Sequence, residues 1–160
     1  MKKFISVLLT IVFLCCNFTY CFANSSINNR QISDLGYVTT IIEEVTDDYI
    51  NINSNYAIKH KVIRKEQTYY TSKKEAKCAL IAIATFSIDY GKSVKCDKIE
   101  IQTKSYDDGW SVQNIKKSIK NSTKAEGKVS GEFTQKILGI KVKKIPVNMT
   151  ITCDNNGNYY

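Results

Sequence analysis

Lys124-Ala125-Glu126-Gly127-Lys128-Val129-Ser130-Gly131-Glu132-Phe133-Thr134-Gln135-Lys136-Ile137 is the stretch that decides the fold. Ala125, Gly127, Val129, Gly131, Phe133 and Ile137 share one parity. Lys124, Glu126, Lys128, Ser130, Glu132, Thr134 and Lys136 take the other. A helix would scatter those charges around its circumference, whereas a strand puts successive side chains on opposite faces. The stretch therefore reads as a strand with one apolar and one charged face. Leu138-Gly139 turns the chain after it. Ile140 and Val142 alternate with Lys141 and Lys143, and then Ile145, Val147, Met149, Ile151 and Cys153 continue on the opposite parity. That one-residue slip near Lys143-Lys144 predicts a β-bulge. Pro146 falls on the outward parity, which favours an edge strand. Asp154-Asn155-Asn156-Gly157 reads as a final turn.

Upstream, Asn121-Ser122 reads as a turn, Trp110 and Val112 start a strand, and Asp107-Asp108-Gly109 is a hairpin signal. Lys98 to Lys104 alternates Ile99 and Ile101 with Lys98, Glu100 and Gln102. From Thr71 to Tyr90 two readings compete. Ser72 with Glu75 is a capping box that would open a short helix between Ser72 and Ala82. Against it, Cys78, Leu80, Ala82, Ala84, Phe86, Ile88 and Tyr90 share one strand parity, and strand is favoured from Thr85 to Tyr90. Tyr56 to Ile63 alternates, Tyr49 to Ile52 is a short strand candidate with a turn at Asn53 to Asn55, and Tyr37 to Val45 is β-branched. Seven or eight strands with regular turns predict an all-β domain, an antiparallel β-sandwich or small barrel, with at most one short helix.

The chain has 160 residues. Lys2 and Lys3, the apolar run Phe4 to Cys16, and Cys21-Phe22-Ala23 form a secretory signal peptide, residues 1–23. The apolar run of 13 residues is short of the roughly 20 a spanning helix needs. The mature protein is expected to start near Asn24 and to be secreted. No small residue precedes Cys15 or Cys21 directly, and no apolar tail follows at the C-terminus, so no lipid or transmembrane anchor is expected. Residues 24–36 read as a flexible leader, and 37–160 as a single β-rich domain with its core in 78–160.

The chain holds 23 basic and 15 acidic residues, and without Lys2 and Lys3 the balance is 21 to 15. Between Ser111 and Lys144 nine lysines face only Glu126 and Glu132. With the strands paired as read, Lys124, Lys128, Lys136, Lys141 and Lys143 form a basic face that would attract an anionic envelope polymer. Nucleic acid is not an expected partner: that stretch has no Arg, and no nucleic-acid fold motif is present.

Cys78, Cys96 and Cys153 survive removal of the signal. Cys96 precedes one strand and Cys153 ends another, and a bridge between them would close a 58-residue loop worth roughly 4 kcal/mol. Cys78 could replace either partner on residue pattern alone. No zinc or other metal site is expected, with His60 the only histidine and no CxxC pair. Of the Cys–His pairs on offer, Cys78 with His60 is the leading candidate for a nucleophile pair, and Cys78 adjoins an apolar run where a cysteine is ordinarily a core residue. Asp47-Asp48 and Asp107-Asp108 read as turn residues before acid–base pairs. Trp110 reads as a core anchor. No cofactor motif is present.

Ala84-Thr85-Phe86-Ser87-Ile88-Asp89-Tyr90-Gly91 followed by Cys96, Gly109-Trp110-Ser111-Val112, Ala125-Glu126-Gly127, Leu138-Gly139-Ile140 and Thr150-Ile151-Thr152-Cys153-Asp154-Asn155-Asn156-Gly157 resemble a family of small secreted proteins of Gram-positive bacteria. The resemblance implies a signal peptide, a β-rich C-terminal domain and a Cys96–Cys153 pair. It implies no catalytic residue. The expected function is a non-enzymatic binding or interaction module of the cell envelope or extracellular space, its partner an anionic envelope polymer or an extracellular protein. The alternative is a secreted effector, a toxin or bacteriocin-like protein acting on another cell's surface.

Overall fold

The computed structural model describes residues 28–31, 36–45 and 58–160. The signal peptide, most of the leader, Asp47-Asp48, and the strand and turn expected between Tyr49 and Asn55 lie outside the described residues. Eight strands follow in order: β1 (Asn28–Gln31), β2 (Tyr37–Val45), β3 (Ile58–Tyr70), β4 (Ala76–Asp89), β5 (Ser93–Ser105), β6 (Trp110–Asn121), β7 (Ala125–Ile137) and β8 (Ile140–Cys153). The first five form one antiparallel sheet, in the order β1-β2-β3-β4-β5, and the last three form a second, β6-β7-β8. The fold is all-β, and its two sheets are open. The barrel alternative is thus set aside and the sandwich stands. Within the expected leader, Asn28–Gln31 pairs with Thr40 to Tyr37 of β2, so backbone pairing reaches four residues read as loose.

No helix occurs among the described residues. Where a helix could have started at Ser72, the chain makes the β3–β4 loop instead. Lys74 N–H donates to the Thr71 carbonyl at 2.9 Å, and Lys74 takes φ 64. Ser and Thr serve turns as readily as helix caps, and the strand parity from Cys78 onward prevails. Cys78, Leu80, Ala82, Ala84, Phe86 and Ile88 are all buried, so β4 is the central plank of the core.

The facing plank is β7, with Ala125, Val129 and Phe133 buried. Its glycines let the sheets meet. A Cβ added at Gly127 would sit 2.9 Å from Ile99 Cδ1 and 3.5 Å from Ala84 Cβ, and one at Gly131 would sit 3.6 Å from Leu80 Cδ2. Tyr69, Trp110 and Phe133 fill the far end of the core, with ring centroids 4.7 Å apart for Tyr69–Trp110 and 6.4 Å for Tyr69–Phe133. Trp110 is the core anchor expected of it.

Asp107-Asp108-Gly109 makes a turn, but not a hairpin. β5 and β6 belong to different sheets, and the turn is the corner between them. Asp107 Oδ1 accepts the Gly109 N–H at 2.9 Å, and Lys77 Nζ donates to Asp107 Oδ2 at 2.9 Å, which ties the corner to β4. β8 lies at a sheet edge, as Pro146 indicated. Its predicted bulge falls at Val142: Gln135 faces Lys143 while Lys136 faces Lys141.

Candidate functional site

The outer face of the three-stranded sheet gathers polar and basic side chains from three strands, with Lys128 among them paired to Glu126 of the same strand. Its strand register sets two rows across β6, β7 and β8: Lys116, Ser130 and Asn148, then Ser118, Lys128 and Thr150. Together they line an open trough of about 470 Å³. Two ammonium groups, three hydroxyls and an amide converge there without a carboxylate among the lining residues. Such a set supplies charge and directional donors to an anion. Lys116 reaches this face because of a second bulge. Gln113 faces Glu132 and Lys116 faces Ser130, with one extra residue between and Asn114 at φ 55. Without that residue, Lys116 and Lys120 would point into the core.

The sequence-derived basic face is placed in two parts. Lys124, Lys128, Lys136 and Lys141 are exposed, and Lys128, Lys136 and Lys141 share the outer face with Lys116, Lys120 and Lys144. Lys128 pairs with Glu126 at 2.9 Å. Lys124, just before β7, hydrogen-bonds the Tyr160 phenol, which raises the pKa of its amine. Lys143 departs from the set. The Val142 bulge reverses its parity, so Lys143 turns to the interior, donates to Tyr69 Oη at 2.8 Å and sits over the Tyr69 and Trp110 rings. It serves the aromatic end of the core by a cation–π contact.

The other candidates do not assemble. Cys78, Cys96 and Cys153 are buried free thiols, and no bridge joins Cys96 to Cys153. Cys96 Sγ donates to the Lys98 carbonyl at 3.7 Å and Cys153 Sγ to the Asp154 carbonyl at 3.6 Å. Burial pushes Cys78 up to about 12 and the other two up to about 11. These are poor nucleophiles, because the thiolate is the reactive form. The Cys78–His60 pair fails on topology. Cys78 pairs with Tyr69 on the inner face, while His60 takes the opposite parity of β3 and is exposed.

His60 instead meets a serine that sequence reasoning missed. Ser87 Oγ lies 3.1 Å from His60 Nδ1 and donates to Asp97 Oδ2. The order is His–Ser–Asp with the serine in the middle. A nucleophilic triad needs the histidine in the middle, to take the serine proton. This exposed trio has no such relay. Its members meet through the His60–Ser87 register and a bulge that skips Asp97, neither of which the sequence shows.

A second cleft, of about 280 Å³, lies where β2 and β3 extend past the edge of β8. Lys65 enters it and donates to the Thr150 carbonyl at 2.6 Å. Burial lowers the pKa of this amine. It occupies the sheet edge, a position where an inward lysine blocks further strand pairing. Asp154 holds the last turn through the Asn156 and Asn158 N–H groups at 2.9 Å each. No cluster of three or more metal-ligating side chains occurs among the described residues.

No protein-family model, curated protein or solved structure matches this chain.

Proposed function

We propose that this chain is an exported, non-enzymatic module that binds an anionic polymer of the cell envelope across the outer face of its three-stranded sheet. The observation that carries the reading is the trough of Lys116, Lys128, Ser118, Ser130, Asn148 and Thr150, which has no acid among its lining residues. The pattern of residues 1–23 supports export. Export also places Cys96 and Cys153 where disulfides form, and their oxidation belongs to the same proposal. The open, shallow shape suits a repeating chain more than a small ligand, which prefers a concave apolar pocket. Binding of this kind is screened by salt over a Debye length of about 8 Å at physiological ionic strength.

Retention on immobilised polyphosphate tests the proposal. The Lys116→Gln/Lys128→Gln variant should elute at clearly lower sodium chloride than the parent. Lys92→Gln/Lys95→Gln removes the same charge from exposed positions in the β4–β5 turn and in β5 of the other sheet and should elute near the parent. Equal elution of the two double variants would overturn the site.

A further inference from the structure

The β7–β8 hairpin ends in a feature that neither the core nor the trough uses. Ile137 is 54% exposed, Leu138 97% and Ile140 68%. Ile137 faces Ile140 across the hairpin, and Leu138 and Gly139 form the two-residue apex with φ 49 and φ 80. Positive φ at both central positions defines the type I′ turn, which favours Asn-Gly or Asp-Gly. A branched side chain there is strained. This chain puts leucine at the strained position and projects it into solvent. Immediately behind, Lys136 faces Lys141 directly, and both are exposed. Like charges directly opposite each other destabilise a strand pair. The apex therefore carries two local costs, while Ile137, Leu138 and Ile140 stay exposed.

We propose that this hairpin tip docks on an anionic lipid bilayer. Ile137, Leu138 and Ile140 enter the headgroup–acyl boundary, and Lys136 and Lys141 meet lipid phosphates. The spacing fits. Two residues of strand set the lysine pair about 7 Å behind the apex, within the 5–10 Å or so that interfacial elements sink. The phosphates neutralise the opposed lysines, and the acyl boundary takes the exposed apolar side chains. A narrow convex apex suits lipid better than a protein partner, which would need a broad patch to bury. The tip residues are distinct from the trough, so this proposal goes beyond polymer binding and stands or falls separately.

The test is co-sedimentation of the processed chain with equimolar phosphatidylglycerol–phosphatidylcholine vesicles. Leu138→Asn should weaken partitioning about tenfold or more, the worth of one buried leucine side chain. It should also hold or raise the thermal midpoint, because Asn-Gly suits the turn. Loss of binding with no loss of stability separates docking from folding. A Leu138→Trp variant should shift its emission to the blue on adding the anionic vesicles, against the constant background of buried Trp110. Lys136→Gln/Lys141→Gln should remove most of the salt-sensitive part of binding. Lys116→Gln/Lys128→Gln should lower polyphosphate retention and keep the Leu138→Trp blue shift. If Leu138→Asn sediments like the parent, or Leu138→Trp shows no shift, the tip does not enter the bilayer.

Discussion

Raising the pH should unfold this protein through its thiols. All three described cysteines are within 1% of complete burial, and burial lifts them from an ordinary value of 9.0 to about 12 for Cys78 and about 11 for Cys96 and Cys153. Above about pH 9 the unfolded chain releases thiol protons that the folded chain keeps, so stability falls as pH rises. Between about pH 8 and about pH 10, each thiol removes about 1.3 kcal/mol, and three remove about 4 kcal/mol. That is a large share of the 5–15 kcal/mol or so typical of a domain. Urea titrations at the two pH values, in the presence of a phosphine reductant, measure it. Cys78→Ala should remove about a third of the difference. An oxidised Cys96–Cys153 bridge leaves one titrating thiol and should cut the loss to about 1.3 kcal/mol. A loss below about 1 kcal/mol in the fully reduced protein would refute the reasoning, because the thiols would then be ionising in the fold.

Phe133→Ala should cost about 3–5 kcal/mol in urea unfolding with an unchanged denaturant slope, since it empties the space beside Tyr69; a cost below about 1 kcal/mol would contradict the packing described. Gly36→Ala should destabilise far more than Gly139→Ala. At Gly36 (φ 145) the new Cβ would lie 2.3 Å from the Tyr70 carbonyl oxygen, whereas at Gly139 (φ 80) nothing lies within 4 Å. The second change should cost only the left-handed backbone strain, about 1–2 kcal/mol. Thermal melts that rank the two the other way would refute that difference.

The fold was largely legible in the sequence because period-two alternation is a direct image of burial. β7 buries Ala125, Val129 and Phe133 on the parity they announce but leaves Ile137 exposed and buries Thr134 of the other parity, and β4 buries Ala79 and Ile81 of its other parity as well. What stayed hidden depends on which strands pair, and at what register. The bulge was foreseen from a parity slip, but its residue was not. Placing it at Val142 sends Lys143 inward while Lys141 stays out. The bulge at Asn114-Ile115 had no such signature, because β6 carries lysines on both parities, so the trough could not be drawn in advance. The six outward-facing side chains that line it come from three strands, and only Lys128 stood among the candidates. The corner at Asp107 shows the same limit. Asp and Gly specify a reversal of direction, but not whether the next strand returns to its own sheet or crosses to another.

The strand order itself bears on how the chain reaches its native state. Within each sheet every strand pairs with its immediate neighbour in sequence. Among the described residues, no strand has to wait for a distant segment to be synthesised or delivered. Local hairpins close in about 1–10 µs, whereas long-range pairing is what slows β-proteins. A polypeptide threaded N-terminus first through a narrow pore can lay each new strand against the one just released. The second sheet then condenses on a plank that already exists. Refolding from denaturant should accordingly be quick for a β-sandwich of this size, and the step that limits it should be the closing of the two sheets around Gly127 and Gly131.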